Sequence, residues 1–444
     1  MLKKISFAEK EEADALLRIL SAALDAANPS TAIRRRLTRE KNLLAINEQR
    51  YALKNYSAVY LAAIGKAAIP MAHATAEILG ADLDAGVVVY KTDPKNAAKK
   101  ENLRYFQAAH PIPDGRSLAA GEYLLEFLSQ ATSQDLVLFL ISGGGSALIT
   151  LPEKGITLGE LQSLTDLLLR SGVRIDEMNT LRRALDRVKG GGLAEAAAPA
   201  ETLTLLLSDV VNSPLEAIAS GPTVPNPTDK AAALAVLEKY HLCEKVPPSI
   251  LDFLREREVP RSAPPQGFAL VIGDNRISAA AAKSQAEKEG FFSQVLTTSL
   301  QGEAAEIGAK LGRMLRENDF STYGVKASPP YCLILGGETT VTLQGKVGRG
   351  GRNQELALAA AVELDGAEDV ILLTLATDGE DGPTDAAGAI VAGETLVRAK
   401  ALGLDAATHL RRHDAYPFFD SLGDLLKIGS TGTNVNDLIF CLAM

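Results

Sequence analysis

Short apolar runs recur along the chain, and each is followed by a glycine-bearing turn and an alanine-rich amphipathic segment. SAVYLAAIG, residues 57–65, leads into KAAIPMAHATAEILG, and DLVLFLISGGG, residues 135–145, repeats the start of the pattern. Strands of a parallel sheet alternate with crossover helices in this way, and continuous apolar runs indicate strands covered on both faces. The pattern predicts an α/β fold with a parallel sheet and flanking helices in the N-terminal part.

One helix is predicted by the residues at its two ends. Thr157 and Glu160 in TLGELQSLTDLLLRSG have the spacing of a capping box, and Gly172 follows the last apolar position. These are start and stop signals of an α-helix.

The chain is predicted to contain two domains. Two proline-rich patches flank a short helical pattern in KVPPSILDFLREREVPRSAPPQ, residues 245–266, which has the composition of a connection between domains. The strand–turn–helix pattern restarts at GFALVIGDNRIS, residues 267–278. At CLILGGETTVTLQGKVG, residues 332–348, the alternation changes to period two with threonines, which suggests a hairpin and a mixed sheet. The predicted domains are residues 1–250 and 265–444, which suits a length of 444 residues.

Composition narrows the classes of function. A formal charge of −9 argues against a nucleic-acid-binding surface. The 3 cysteines are far apart and form no CxxC pair, which suits a reducing cytoplasm better than a disulfide framework or structural zinc. The start of the sequence is acidic where a signal peptide would be apolar, and no apolar stretch reaches the roughly 18 residues of a membrane span. We therefore expect a soluble cytoplasmic protein without a nucleic-acid or membrane partner. The sequence leaves open whether it is a monomer or a homodimer.

Candidate chemistry lies directly after the apolar runs, because ligands of open α/β sheets bind beyond the carboxyl ends of the strands. The loop SGGGS consists of Ser142, Gly143, Gly144, Gly145 and Ser146. It fits neither the nucleophile elbow GxSxG nor the dinucleotide fingerprint GxGxxG, and the chain has no Walker loop. Two interpretations remain: a nest of backbone N–H groups that binds a polyphosphate, or a turn without chemistry.

Two further groups follow strands of the same half. Lys66 stands between a strand and a helix start, where its charge suits a transferring phosphoryl group; the alternative is a surface lysine. Asp209 ends the strand of ETLTLLLSD, where it is a candidate to hold magnesium, to orient a hydroxyl group or to cap a helix or turn.

The second half adds arginines and acids. Arg349 and Arg352 lie in the glycine-rich loop of GKVGRGGRNQE before a helix start, and their planar forks suit carboxylates or phosphates. Asp378 belongs to the acidic stretch ATDGEDGPTD, which suits magnesium or simple solvation.

Together these segments resemble a known family. IGKAA, HPIPD, SGGGSAL, KGGGLA, LLSDVVNSPLEAIASGPT, GGETTV, GRGGRNQELALAAA, TDGEDGPTDAAGAIV and TGTNVNDL are similar, in this order, to the motifs of glycerate 2-kinases with a C-terminal MOFRL domain, sometimes labelled hydroxypyruvate reductases. The resemblance implies ATP-dependent phosphorylation of D-glycerate to 2-phosphoglycerate with Mg²⁺. It also implies a cleft between an N-terminal Rossmann-like domain and a C-terminal α/β domain.

The resemblance implies roles for individual residues. Lys66, Asp209 and Arg352 are the predicted catalytic residues, with Arg352 favoured over Arg349. The family often has KGGRLA where this chain has Gly192, which leaves the contribution of Lys189 open. The predicted nucleotide-binding residues are those of SGGGS with Lys189 and Glu338; the predicted substrate-binding residues are Arg349, Asn353 and His110; the predicted metal ligands are Asp209 and Asp378.

Two rival functions are weighed against this prediction. An NAD-dependent hydroxypyruvate reductase needs a dinucleotide fingerprint and an acidic residue about 20 residues further on, and no stretch supplies both. A non-catalytic ligand-binding protein is disfavoured by the many charged groups at strand ends.

Overall fold

The computed structural model describes residues 10–92, 99–256, 267–343, 345 and 347–444, and the chain divides into two compact units. The N-terminal unit is Pro29–Ile272. The C-terminal unit combines Gly273–Met444 with the first helix, Lys10–Ala27. Residues 257–266 of the predicted connection lie outside the described part of the chain.

Helices and strands are interspersed along both units. The α-helices are α1 Lys10–Ala27, α2 Pro29–Arg36, α3 Ala68–Leu79, α4 Gly115–Leu128, α5 Gly145–Leu148, α6 Leu158–Arg170, α7 Ile175–Leu185, α8 Gly192–Ala197, α9 Lys230–Lys239, α10 Pro248–Arg255, α11 Asn275–Lys288, α12 Ala304–Glu317, α13 Arg352–Glu363, α14 Thr395–Ala401, α15 Ala406–Arg411 and α16 Ala415–Leu422. The strands are β1 Leu37–Glu40, β2 Leu43–Ile46, β3 Gln49–Ala52, β4 Ala58–Ile64, β5 Ala85–Tyr90, β6 Leu103–Gln107, β7 Asp135–Ser142, β8 Glu201–Leu207, β9 Phe268–Gly273, β10 Phe292–Leu300, β11 Tyr331–Gly337, β12 Val370–Ala376, β13 Gly388–Ala392, β14 Leu425–Leu426 and β15 Asp437–Ala443.

The main sheet of the N-terminal unit has the strand order β6-β5-β4-β7-β8-β9. The pairs β5–β6, β4–β5, β4–β7 and β7–β8 are parallel, so the predicted parallel sheet is confirmed. All residues of β7 are buried, as its unbroken apolar run predicts for a central strand between two layers of helices. This arrangement brings the carboxyl ends of β4, β7 and β8 to one edge of the sheet.

The helix predicted from its end signals is α6. The Thr157 hydroxyl accepts the N–H of Glu160, and the Glu160 carboxylate accepts the N–H of Thr157, which completes the capping box. Gly172 follows the helix with φ +66°, a backbone conformation that glycine adopts without strain.

The sheet of the C-terminal unit has the strand order β10-β11-β15-β12-β13-β14. The pair β10–β11 is parallel, whereas β15 is antiparallel to both β11 and β12. The mixed sheet is thus confirmed, but the hairpin predicted from the threonines of CLILGGETTVTLQGKVG is wrong. Among the described residues between β11 and α13 there is no strand, only an isolated parallel bridge between Glu303 and Thr340. The antiparallel pairings come instead from β12, β13, β14 and β15.

The bounds of the two units differ from the predicted 1–250 and 265–444. Strand β9, expected to open the second domain, lies next to β8 in the sheet of the N-terminal unit. Helix α1 packs in the C-terminal unit, where Leu16, Ile19 and Leu20 share a hydrophobic cluster with the small residues of α11. The physical reason is that the apolar stripe of α1 matches the alanine face of a helix that is remote in sequence.

Within the described ranges, no helix is long and apolar enough to cross a lipid bilayer.

Candidate active site

The glycine loop SGGGS follows β7 and is tied to the loop that follows β4. The backbone N–H of Lys66 donates to the carbonyl of Gly143 at 2.9 Å, and the N–H of Ala67 donates to the Ser142 hydroxyl at 3.0 Å. Gly144 has φ +83° and precedes α5, so glycine is the residue that fits this turn without strain. Two neighbouring strand ends are therefore held as one structure.

Three predicted side chains meet at this loop. A Cβ at Gly143 would overlap the carboxylate of Asp209. A Cβ at Gly144 would lie 3.1 Å from His110 Cδ2 and 3.2 Å from Lys66 Cγ. The glycines thus let Lys66, Asp209 and His110 approach the loop backbone. Of these three, Lys66 is exposed, and Asp209 and His110 are partly buried.

His110 is neutral at pH 7 in this environment. Burial lowers the pKa of its imidazole to about 4, and the charges of Lys66 and Lys91 act in the same direction. Its Nδ1 atom is buried and has no hydrogen-bond partner among the described residues. His110 can therefore hydrogen-bond a ligand without adding a positive charge.

Lys189 is buried within the N-terminal unit. Its ammonium donates to the carboxylate of Asp186 and to the carbonyl of Ile149 at 3.3 Å. Burial lowers the pKa of Lys189, while the charge of Asp186 opposes that shift. Because the ammonium is already engaged in an internal ion pair, its predicted contact with a nucleotide stays a prediction.

Arg352 begins α13 in the C-terminal unit and is held by two carboxylates. Its Nε and Nη2 atoms donate to Asp437 at 2.5 and 3.1 Å, and Nη1 donates to Glu338 at 2.8 Å. Asp437 is nearly fully buried at the start of β15. Sequence reasoning missed Asp437, although its position directly before the last apolar run was a signal that could have identified it.

Asp381 holds the first turn of α13. Its carboxylate accepts the N–H groups of Asn353 at 3.1 Å and Gln354 at 2.9 Å, and the Asn353 amide also reaches it at 3.4 Å. Asn353 is buried by these contacts. Burial raises the pKa of Asp381 to about 7, and the charge of Asp437 adds to the effect.

The raised pKa of Asp381 predicts a pH-dependent stability. The folded protein retains this proton up to about pH 7, whereas an unfolded aspartate releases it near about pH 4. The contribution of Asp381 to the free energy of unfolding is therefore highest below about pH 4 and is lost as the pH rises to about 7. Urea unfolding across this range should show that the stability of the wild type relative to Asp381→Asn falls as the pH rises.

Asp405→Asn provides the matched control for Asp381→Asn. Asp405 also caps a helix, accepting the N–H of Thr408 at 3.0 Å, but its hydrogen bonds with Thr408 lower its pKa. Its contribution is present above about pH 4 and is lost as the pH falls through the lowered pKa. The stability of the wild type relative to Asp405→Asn should therefore rise with pH. If its stability relative to Asp381→Asn also rose with pH, the carboxyl group of Asp381 would be ionised in the folded protein.

Arg349 lies in the same glycine-rich loop but has different partners. Its guanidinium stacks 3.9 Å from the ring centre of Tyr416 and lies 3.8 Å from Asp385. Its backbone N–H donates to Asp414 at 2.8 Å. The two arginines thus have different partners in the structure. Arg349 packs the glycine-rich loop onto α16, whereas Arg352 forms ion pairs with Asp437 and Glu338.

The predicted metal ligands stand in different loops. Asp378 accepts the N–H of Glu380 at 3.1 Å, while Asp209 adjoins Gly143. In the described part of the chain, no three or more His, Cys, Asp or Glu side chains are grouped to hold a metal ion. Magnesium is usually bound by one or two carboxylates together with substrate phosphates, so a single carboxylate at the glycine loop fits that mode.

The predicted site residues therefore fall into two sets. The N-terminal unit holds Lys66, His110, Ser142, Gly143, Gly144, Gly145, Ser146, Lys189 and Asp209. The C-terminal unit holds Glu338, Arg349, Arg352, Asn353 and Asp378.

Fold and site define a class of two-unit α/β proteins. Residues 15–255 match a domain of unknown function (DUF4147), and residues 331–437 match the MOFRL family. The chain is 44% identical over 390 residues to the D-glycerate 2-kinase of Thermotoga maritima, which covers 87% of this chain and 91% of the relative. It is 39% identical over 432 residues to the glycerate 2-kinase of Pyrococcus horikoshii, covering 96% of both.

A solved structure agrees with these matches. The crystal structure of glycerate kinase from Thermotoga maritima superposes with a TM-score of 0.86 at 40% identity, covering 97% of this chain and 99% of the other. The chain belongs to the glycerate kinase family, whose members are phosphotransferases. The family resemblance and the enzyme class predicted from the sequence are confirmed.

Proposed function

We propose that this protein transfers the γ-phosphoryl group of ATP to the 2-hydroxyl group of D-glycerate with Mg²⁺. The observation that carries the proposal is the meeting of Lys66, Asp209 and the glycine loop at the carboxyl ends of parallel strands. The name of the Thermotoga maritima relative, D-glycerate 2-kinase, supports the choice of acceptor and hydroxyl.

The residues of the N-terminal unit have the groups that phosphoryl transfer requires. The glycine loop places no Cβ between its backbone and an approaching phosphate, and the exposed ammonium of Lys66 neutralises charge on phosphoryl oxygens. Asp209 is the residue that would hold Mg²⁺, and the bound ion would neutralise phosphate charge. Asp209 is alternatively placed to orient the acceptor hydroxyl.

Arg352 is proposed to act on the phosphoryl group or on the glycerate carboxylate. Its contacts with Asp437 and Glu338 fix the orientation of its guanidinium, which suits a preorganised electrostatic role. Catalysis in a cleft between the two units stays a prediction of the family resemblance.

The proposed function is tested by measuring ADP formation and NADH oxidation in two separate reactions. Purified protein with ATP, Mg²⁺ and D-glycerate is expected to form ADP, and phosphorus NMR should identify 2-phosphoglycerate as the other product. A separate reaction with NADH and hydroxypyruvate is expected to show no oxidation. Folded protein that forms no ADP would refute the proposal, and NADH oxidation would establish the reductase instead.

A substitution in the glycine loop tests nucleotide binding. A side chain at Gly144 would contact Lys66 and His110, and φ +83° also makes any L-residue strained there. Gly144→Ala is expected to weaken ATP binding by about tenfold or more, because the Cβ would push Lys66 and His110 away from the loop backbone at which we propose that the phosphates bind. Calorimetric titration with ATP measures the change.

Gly155→Ala is the matched control for Gly144→Ala. Gly155 has a similar φ of +89°, but nothing lies within 4 Å of a Cβ there. Both variants should lose a similar amount of stability through backbone strain, whereas only Gly144→Ala should lose ATP affinity. Equal ATP affinity in the two variants would show that the glycine loop is only a turn.

A further inference from the structure

A pocket of about 240 Å³ lies within the N-terminal unit, between the glycine loop and helices α6 and α7. Gly144 and Ser146 line it on the loop side. Leu164 of α6 and Leu181 of α7 are among its apolar lining residues. The volume is smaller than the roughly 300–1,000 Å³ typical of sites for drug-sized ligands. The pocket therefore suits a molecule of a few carbon atoms better than a whole nucleotide.

Three charged side chains line this pocket, and two of them neutralise each other. Asp186 accepts hydrogen bonds from the Thr150 hydroxyl at 2.6 Å and from the N–H groups of Leu151 and Val188, both at 3.1 Å. The ammonium of Lys189 also donates a hydrogen bond to this carboxylate. These contacts satisfy the carboxylate of Asp186, and the charge of Lys189 neutralises it, so it does not also neutralise a third charged group.

The third charged group is Arg182 on α7. Its Nη1 atom donates to the neutral amide oxygen of Asn179 at 3.2 Å, and no carboxylate of the described residues is paired with it. Burial lowers the pKa of Arg182, but a guanidinium stays protonated in proteins. A partly buried charge without a counter-ion is unfavourable unless a ligand supplies one.

We infer that Arg182 binds the carboxylate of the acceptor substrate in this pocket, which makes it a specificity-determining residue. The inference rests on the proposed function, because it takes a small hydroxy acid as the acceptor. The guanidinium offers the bidentate geometry that carboxylates match. The leucines accommodate a short carbon chain. Gly144 and His110 both line the pocket, and Lys66 lies beside Gly144.

The nucleotide is the competing occupant of this pocket. Its triphosphate would bring several negative charges to a pocket with one uncompensated cation, whereas a monocarboxylate matches that charge. The Arg182 side chain should therefore control affinity for D-glycerate and leave affinity for ATP almost unchanged.

The experiment compares Arg182→Gln with Arg187→Gln. Arg187 follows α7 closely in the chain but is exposed, so it controls for loss of a positive charge in this region. Calorimetry with D-glycerate alone is expected to show a Kd at least about 30-fold higher in Arg182→Gln, as for loss of a charged hydrogen-bonded pair. The KM for D-glycerate should rise in parallel, while the KM for ATP stays within about threefold.

Selectivity provides a second readout. The wild type should prefer D-glycerate to glycerol, which lacks the carboxylate, and Arg182→Gln should lose at least about 30-fold of that preference. Arg182→Lys keeps the charge without the planar fork and should fall between the two, which keeps the test informative if Arg182→Gln does not fold.

The outcomes separate this inference from the proposed function. If the wild type forms ADP with D-glycerate and Arg182→Gln or Arg182→Lys retains full affinity for it, the inference is wrong and the proposed function stands. If the variant loses ATP affinity instead, the pocket belongs to the nucleotide and the inference is also wrong. If the wild type binds D-glycerate through Arg182 but forms no ADP, the proposed function fails alone. A wild type that does not bind D-glycerate contradicts both.

Discussion

Replacing Lys66 by alanine is expected to lower kcat for D-glycerate phosphorylation by about a hundredfold or more, with the melting temperature close to wild type. The Lys66 side chain is exposed, with its carbon chain beside Gly144, so its removal leaves no buried group without a partner. Loss of one preorganised group that meets developing charge costs about this much in turnover. Steady-state kinetics and thermal unfolding of the same preparation measure both quantities.

Lys154→Ala is the control for the lost charge. Lys154 is an exposed lysine of the same unit, in the turn that precedes α6. Its removal should leave kcat and the melting temperature unchanged. A Lys66→Ala variant with wild-type kcat would remove Lys66 from the mechanism, and a loss of activity proportional to a loss of stability would mark it as structural.

Replacing Arg352 by alanine is expected to have two large effects at once. Turnover should fall by about a hundredfold, as expected for loss of a preorganised cation. The free energy of unfolding should also fall by about 3 kcal/mol, because Asp437 is buried and loses its bidentate partner. Urea unfolding and kinetics at a temperature where the variant is folded measure the two effects separately.

A double-mutant cycle with Asp437→Asn separates stability from catalysis. The Arg352→Ala/Asp437→Asn variant removes the unpaired carboxylate, so it should recover most of the lost stability. Its turnover should remain as low as that of Arg352→Ala. Recovery of turnover together with stability would show that Arg352 only holds α13 and β15 in place.

The residues at the glycine loop could be predicted because local pattern and sheet geometry agree there. Lys66, Gly143 and Asp209 each follow an apolar run, and parallel strands bring their carboxyl ends to one edge. Their proximity then follows from strand order alone. The capping box at Thr157 could also be predicted from the sequence, because every atom it requires lies within four consecutive residues.

The partners of Arg352 and the place of Arg182 could not be predicted from local patterns. Asp437 meets Arg352 because β15 enters the sheet between β11 and β12, a choice set by packing of the whole unit. Arg182 resembles any polar position of an amphipathic helix, and only the folded helix places it in the pocket. The hairpin prediction was wrong because period-two alternation indicates which face of a segment is polar, but it does not determine whether another strand pairs with that segment.

Helix α1 and strand β15 also set an order of assembly during translation. Helix α1 is synthesised before the N-terminal unit, whereas its hydrophobic partners in α11 and the C-terminal sheet are synthesised after that unit. At about 5–20 residues per second, Leu16, Ile19 and Leu20 stay without their partners for tens of seconds. Synthesis of the N-terminal unit finishes within that time. The C-terminal sheet cannot form completely until β15 inserts between β11 and β12. Nascent chains of this protein are therefore expected to bind chaperones through α1 until β15 has been synthesised.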